Sequence, residues 1–127
     1  MSPQAVGLVV ALLIGHFLGD FTPLATARIQ QAKAEGGPQR YIAAHAAVHA
    51  LLTGVAVLAI ARPTPGVLVL AVGIQFATHW VLDGFRARMG ASMPALGDPS
   101  ANAFWTALGI DQLAHGLVLL GIAALVL

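Results

Sequence analysis

The sequence predicts an all-α, polytopic membrane protein, a single domain over residues 1–127 built as a four-transmembrane-helix bundle. Three observations carry that expectation. The first is composition: of the 127 residues, 58% are hydrophobic and only 9% charged, and the mean hydropathy is +0.85. A soluble domain carries about a quarter charged residues, so the surplus apolar surface here has to face lipid or a very large partner, and lipid is the simpler solution. The second is spacing. Four apolar stretches, each near the roughly 20 residues that cross a bilayer as helix, alternate with clusters of Pro, Gly and charge. The third is the distribution of basic residues: Arg28, Lys33, Arg40, Arg86 and Arg88 fall in the first and third connections and Arg62 alone in the second. The positive-inside rule then places those two connections in the cytoplasm and both termini outside, across a bacterial inner membrane.

The four helices are expected at about residues 5–27, 41–61, 66–85 and 103–127. At the end of the first, Ala25-Thr26-Ala27 looks like a signal cleavage site, but no Lys or Arg precedes the apolar run, and the run holds His16 and Asp20. It therefore reads as a retained span. Residues 28–40 are expected to continue this helix for a polar turn or two until Gly36-Gly37-Pro38 ends it. Arg62-Pro63-Thr64-Pro65 reads as a tight hairpin between the second and third helices. Residues 86–102 carry Gly90, Pro94, Gly97 and Pro99 beside Met89, Met93 and Leu96, which suits a segment lying on the membrane surface or folded over the bundle. Asp98-Pro99 or Ser100 is the expected cap of the fourth helix, and Tyr41 and Trp105 fit the cytoplasmic aromatic belt.

Ionisable groups are the unexpected content of these spans, because an Asp near the bilayer centre costs about 2.5–3.5 kcal/mol. All five histidines and three of the four aspartates nevertheless lie in the helices, as the pairs His16 and Asp20, His45 and His49, His79 and Asp83, and Asp111 and His115. Each helix holds one pair, and each pair is spaced i, i+4, which puts both side chains on one face, one turn apart. At about 1.5 Å per residue the eight groups lie about 5–20 Å from the cytoplasmic boundary. Four faces at one level make a site.

A single such residue would read equally well as polar glue between helices. The repeated pairing favours a metal centre over a haem, a proton relay or a structural network, since haem ligation leaves three carboxylates unexplained. Imidazole and carboxylate without sulfur suit Zn, Mn or Fe. Eight candidate ligands exceed what one catalytic zinc needs, so either two ions are bound or some aspartates orient histidines. Three ionised Asp lean slightly toward two ions. The chain has no cysteine, which removes disulfides and thiolate chemistry, and Ser2, Ser92 and Ser100 stand outside the spans, which disfavours a Ser-His-Asp triad. The catalytic residues are not assigned; metal-bound water, with Asp20, Asp83 or Asp111 as candidate base, is the best nucleophile available. Gln75 and Gln112 read as interhelical glue ahead of contacts to substrate or to ligand side chains, Thr53 and Thr78 as bonding their own backbone, and Gly15-x-x-x-Gly19 as close packing within the bundle ahead of a dimer face. A net charge of +1 gives no reason to expect nucleic acid.

At four blocks the sequence resembles a small bacterial membrane-protein family catalogued as domain of unknown function 3307: residues 16–21 (His-Phe-Leu-Gly-Asp-Phe), His45 to His49, His79 to Asp83 with Arg86 after it, and residues 111–115 (Asp-Gln-Leu-Ala-His). Members carry Gln shortly after the first Asp-Phe, where this chain has Leu24, and favour Lys at the position of Arg86. The resemblance implies four membrane helices and no established activity. In motif style the pairs also resemble membrane-bound metal-dependent hydrolases. The expected function is therefore a metal-dependent enzyme, hydrolytic or oxidative, acting on a lipid or apolar substrate. The alternative is a divalent-metal transporter or a metal-binding subunit of a membrane complex. A homo-oligomer or a larger assembly fits so short a chain.

Overall fold

The structure is a computed structural model and describes residues 2–127, the side chain of Glu35 excepted. The described residues form five α-helices: α1 (Pro3–Phe21), α2 (Ala27–Glu35), α3 (Gln39–Ile60), α4 (Pro65–Ser92) and α5 (Asn102–Val126). All but α2 are long and apolar enough to cross a membrane. These four form a closed ring in which α1 packs on α3, α3 on α4, α4 on α5 and α5 back on α1. Each turns its large apolar residues outward, among them Leu51, Val69, Val81, Ile110 and Leu113, as lipid-facing helices do.

Local chemistry explains the ends. Ser2 caps α1 by accepting the Ala5 amide at 3.1 Å, with Pro3 in the first turn. The expectation that helix 1 runs to residue 27 and beyond is corrected: α1 stops at Phe21, since Pro23 cannot continue the ladder, and α2 starts afresh with Thr26 as its cap. Gly36, at φ +69°, closes α2 in the left-handed conformation that favours glycine. Ile29 and Ala32 bury one face of α2, and Ala32 meets Ile42 of α3 and Ala87 of α4, the two alanines letting α2 lie close on α4.

A second correction concerns α4, which continues past residue 85 to Ser92. Its 28 residues rise about 42 Å, some 12 Å more than the hydrocarbon core, so the turns carrying Arg86 and Arg88 reach beyond it. The connection that follows is correspondingly short and holds one 3-10 turn, Pro94–Leu96. Ala101 is the cap residue of α5, without a side-chain bond. Asp98 instead closes the preceding turn, accepting from the Ser100 amide at 2.9 Å and its hydroxyl at 2.7 Å. At the opposite end of the bundle, Leu8, Leu12, Val57, Ala71, Leu119 and Ile122 form an apolar core with no ionisable group.

Candidate metal centre

The i, i+4 pairs converge from all four spanning helices at the end of the bundle where α2 lies. His16, Asp20, His45, His49, His79, Asp83 and His115 are all buried. The five imidazoles touch one another, from 3.7 Å between the stacked centroids of His49 and His79 to 5.8 Å between His16 and His79.

Two carboxylates organise the cluster. Asp20 Oδ1 lies 2.8 Å from His45 Nε2 and 3.3 Å from His49 Nε2. Its Oδ2 accepts from Gln112 Nε2 at 3.2 Å and stands 3.4 Å from His16 Nε2. Asp83 Oδ2 lies 3.3 Å from His79 Nε2 and 3.6 Å from His45 Nε2, and its Oδ1 lies 3.7 Å from His115 Nε2. Ligand atoms of Asp20, His45, His49 and His79 lie within 4.8 Å of one another, as do those of His79, Asp83 and His115, so the two groups share His79. The 3.3 Å separations match the edge of a zinc tetrahedron, about 3.3 Å for bonds of 2.0–2.1 Å.

His115 shows which nitrogen is available. Its Nδ1 donates to the Asp111 carbonyl at 2.8 Å, which in the neutral ring makes Nε2, facing Asp83, the nitrogen available to a ligand. Neither that Nε2, nor His49 Nε2, nor either ring nitrogen of His79 has a hydrogen-bond partner. A neutral imidazole has one acceptor nitrogen, so His49, His79 and His115 can each turn one toward a cation among them.

The residue that the sequence reading missed is Lys33. Its Nζ stands 3.1 Å from Asp20 Oδ1, 3.1 Å from Asp83 Oδ2 and 3.3 Å from His45 Nε2. Burial alone would lower its pKa, but Asp83 and Asp20 outweigh that and raise it, so it remains an ammonium. The connection expected to be a polar extension of helix 1 instead delivers a cation into the centre of the site. Gln30 on the same helix donates to the Asp20 carbonyl at 3.2 Å and ties α2 to the end of α1.

Of the eight residues singled out, six fall in the two ligand groups, and His16 and Asp111 fall outside both. His16 Nε2 pairs with Gln112 Oε1 at 3.1 Å, so Gln112 links α1 to α5. Asp111 lies in the wall of a cavity of about 290 Å³ that also touches Asp20, Lys33, Gln30 and Gln112. Thr78 donates to the Ile74 carbonyl at 2.7 Å, the backbone bond expected of it.

The four blocks that form this cluster are also the blocks of the resemblance, and residues 8–127 match the family described as "Protein of unknown function (DUF3307)". The chain belongs to that family. Among curated proteins and among solved structures nothing matches it. The DUF3307 match covers α1 from Leu8 onward and all of α2 to α5, so it agrees with the fold and leaves the chemistry to the site itself.

Proposed function

We propose that this DUF3307 protein is a membrane metalloprotein that holds one divalent ion, Zn, Mn or Fe, among Asp20, His45, His49, His79, Asp83 and His115, and uses it for catalysis on a lipid or other apolar substrate. The observation that carries the reading is His115 Nε2, buried without a hydrogen-bond partner and facing Asp83 Oδ1 at 3.7 Å, beside three further ring nitrogens without partners. Each buried polar atom left so costs about 1–3 kcal/mol, and a cation placed among them removes that cost for the acceptor nitrogens.

Lys33 changes the count of ions. Three ionised aspartates against one ammonium leave two negative charges, which one divalent ion balances. Two ions would leave two positive charges in a low-dielectric interior, so the lean toward two that the aspartates alone suggest is reversed. An ion held by Asp20 and His45 would compete with the Lys33 ammonium, which lies 3.1 Å from Asp20 Oδ1 and 3.3 Å from His45 Nε2.

A bound Zn or Mn would supply hydrolysis by activating water, and Fe would supply oxidation. Asp111, outside both ligand groups and on the cavity wall, is the base this reading assigns. A transporter needs a polar route to both faces, whereas the far half of the bundle is closed by the apolar core around Leu8, Leu12 and Ile122. That favours a site open on one side only.

The test is metal analysis of protein purified in detergent, with the ion counted per chain. One ion is expected, lost in Asp83→Asn and in His79→Ala. Protein that takes up no ion on reconstitution, or variants that keep full occupancy, would sink the reading, and two ions per chain would overturn the count.

A further inference from the structure

Arg86 lies one turn beyond Asp83 on α4, half-buried, and lines the same cavity as Asp20, Lys33 and Asp111. Its Nη2 donates to the Leu96 carbonyl at 2.8 Å, and among the described residues it pairs with no carboxylate, neighbouring Asp111 included. A guanidinium is always charged and carries five N–H donors, so most of its capacity is unspent. It also stands at a boundary. Arg86, Leu96 and Asp111 wall both the polar cavity of about 290 Å³ and a second, apolar one of about 500 Å³ in the seam between α4 and α5. The apolar one is lined by Leu82, Phe85, Met89, Ala107 and Ile110, of which Phe85 and Ile110 face the lipid.

From this junction we infer that the protein binds a membrane amphiphile with a phosphate-bearing head and a hydrocarbon tail, the head against Arg86 in the polar cavity and the tail in the α4–α5 seam. The seam wall on α5 runs from Ala103 to Ala114, about 16 Å of helix, close to one leaflet of a hydrocarbon core about 30 Å thick. It is therefore the length of one lipid chain and opens where lipid chains already lie. Beside it, on the wall of the polar cavity, Arg86 has unspent N–H donors and Gln30 has one, while Lys33 supplies positive charge with its own donors given to Asp20, Asp83 and His45. A planar guanidinium beside an ammonium suits a phosphoryl group, which accepts from several donors at once. The inference deepens the proposed function by naming the class of molecule that reaches the centre, and it rests on that reading only for the chemistry done there.

The test uses the full chain, delipidated in non-ionic detergent, with native mass spectrometry reading bound amphiphile and bound ion together. The probes are palmitoyl lysophosphatidic acid, monopalmitoylglycerol with the same tail and no phosphate, and inorganic phosphate. Lysophosphatidic acid is expected to bind about tenfold more tightly than monopalmitoylglycerol, as a charge-assisted contact implies. Arg86→Gln should erase that preference and Arg86→Lys should keep most of it. Ala107→Trp, which fills the seam, should weaken both amphiphiles, and inorganic phosphate should bind weakly and fail to displace them. Equal binding of the two amphiphiles, an unchanged preference in a folded Arg86→Gln chain, or tight phosphate binding without a tail would each overturn the inference. Protein that carries the ion but does not discriminate refutes this site and leaves the metal reading standing; protein that discriminates through Arg86 with no ion bound does the reverse.

Discussion

A Cβ built on Gly19 would overlap the imidazole of His49, which packs directly on the glycine from the facing helix. Gly15, one turn earlier, has its nearest neighbour, Leu52 Cβ, at an ordinary 3.5 Å. The two glycines of the G-x-x-x-G therefore differ: Gly19 makes room for a ligand ring and Gly15 only for packing. Gly19→Ala is expected to destabilise the bundle by about 1–3 kcal/mol, the cost of overpacking, and to lower ion occupancy by displacing His49. Gly15→Ala should be tolerated on both counts. Thermal melts and ion counts of the two variants check this, and equal behaviour of the pair would refute it.

Lys33 bridges Asp20 and Asp83 at 3.1 Å each, with 17% of its side chain exposed. Removing one partner of a buried ion pair costs about 3–5 kcal/mol, because the carboxylates keep their charge and lose its compensation. Lys33→Met should therefore melt well below the native protein in chelator. Adding a divalent ion should raise the melting temperature of the variant more than that of the native chain, because the ion replaces the missing charge. A smaller rise in the variant would show that Lys33 and the ion do not share the site.

These two residues mark what the sequence made legible. The histidines and aspartates were readable because i, i+4 pairs in apolar helices have one face and one depth, and the ring of helices brings those faces together. Lys33 was not readable, because a lysine between two polar turns looks the same whether it faces water or folds inward. The break at Pro23 and the stop at Gly36-Gly37-Pro38 bracket α2, and Ile29 and Ala32 mark its buried face. Those signals were present, but only the tertiary packing of α2 on α4 turns Lys33 toward Asp83. Likewise Asp111 carries the pair spacing and still falls outside the ligand groups, since spacing fixes the face of a helix and not the reach of each side chain.

Orientation follows from charge. Five of the six basic residues lie at the α2 end of the bundle, so that end is expected in the cytoplasm. The chain has no native cysteine, which makes thiol labelling clean. Ser92 and Thr64 are exposed and at opposite ends, and Thr64 makes no side-chain cap bond, so both accept Cys at little cost. Gly36 is a poor choice, because its φ of +69° and Ala91 Cβ at 3.1 Å penalise any side chain. In intact cells Thr64→Cys should react with an impermeant thiol reagent and Ser92→Cys should not. The reverse pattern would invert the protein in the membrane.

The remaining question is whether the ion only braces four helices. A structural zinc site is closed by four protein ligands, whereas a catalytic one keeps a position for water or substrate. Asp20, His45, His49 and His79 would close a tetrahedron by themselves, yet Asp20 also borders the polar cavity of about 290 Å³, with Lys33 beside it and Asp111 across the same space. A ligand that faces a cavity on one side leaves its ion reachable from that side. Cobalt substituted into the site should therefore change its visible absorption when azide is added, because an added anion can enter the coordination sphere. Asp111→Asn should keep both the cobalt and the azide response, as befits a residue outside both ligand groups. A spectrum indifferent to azide in protein that holds cobalt would assign the ion to bracing, and the catalytic reading would fall with it.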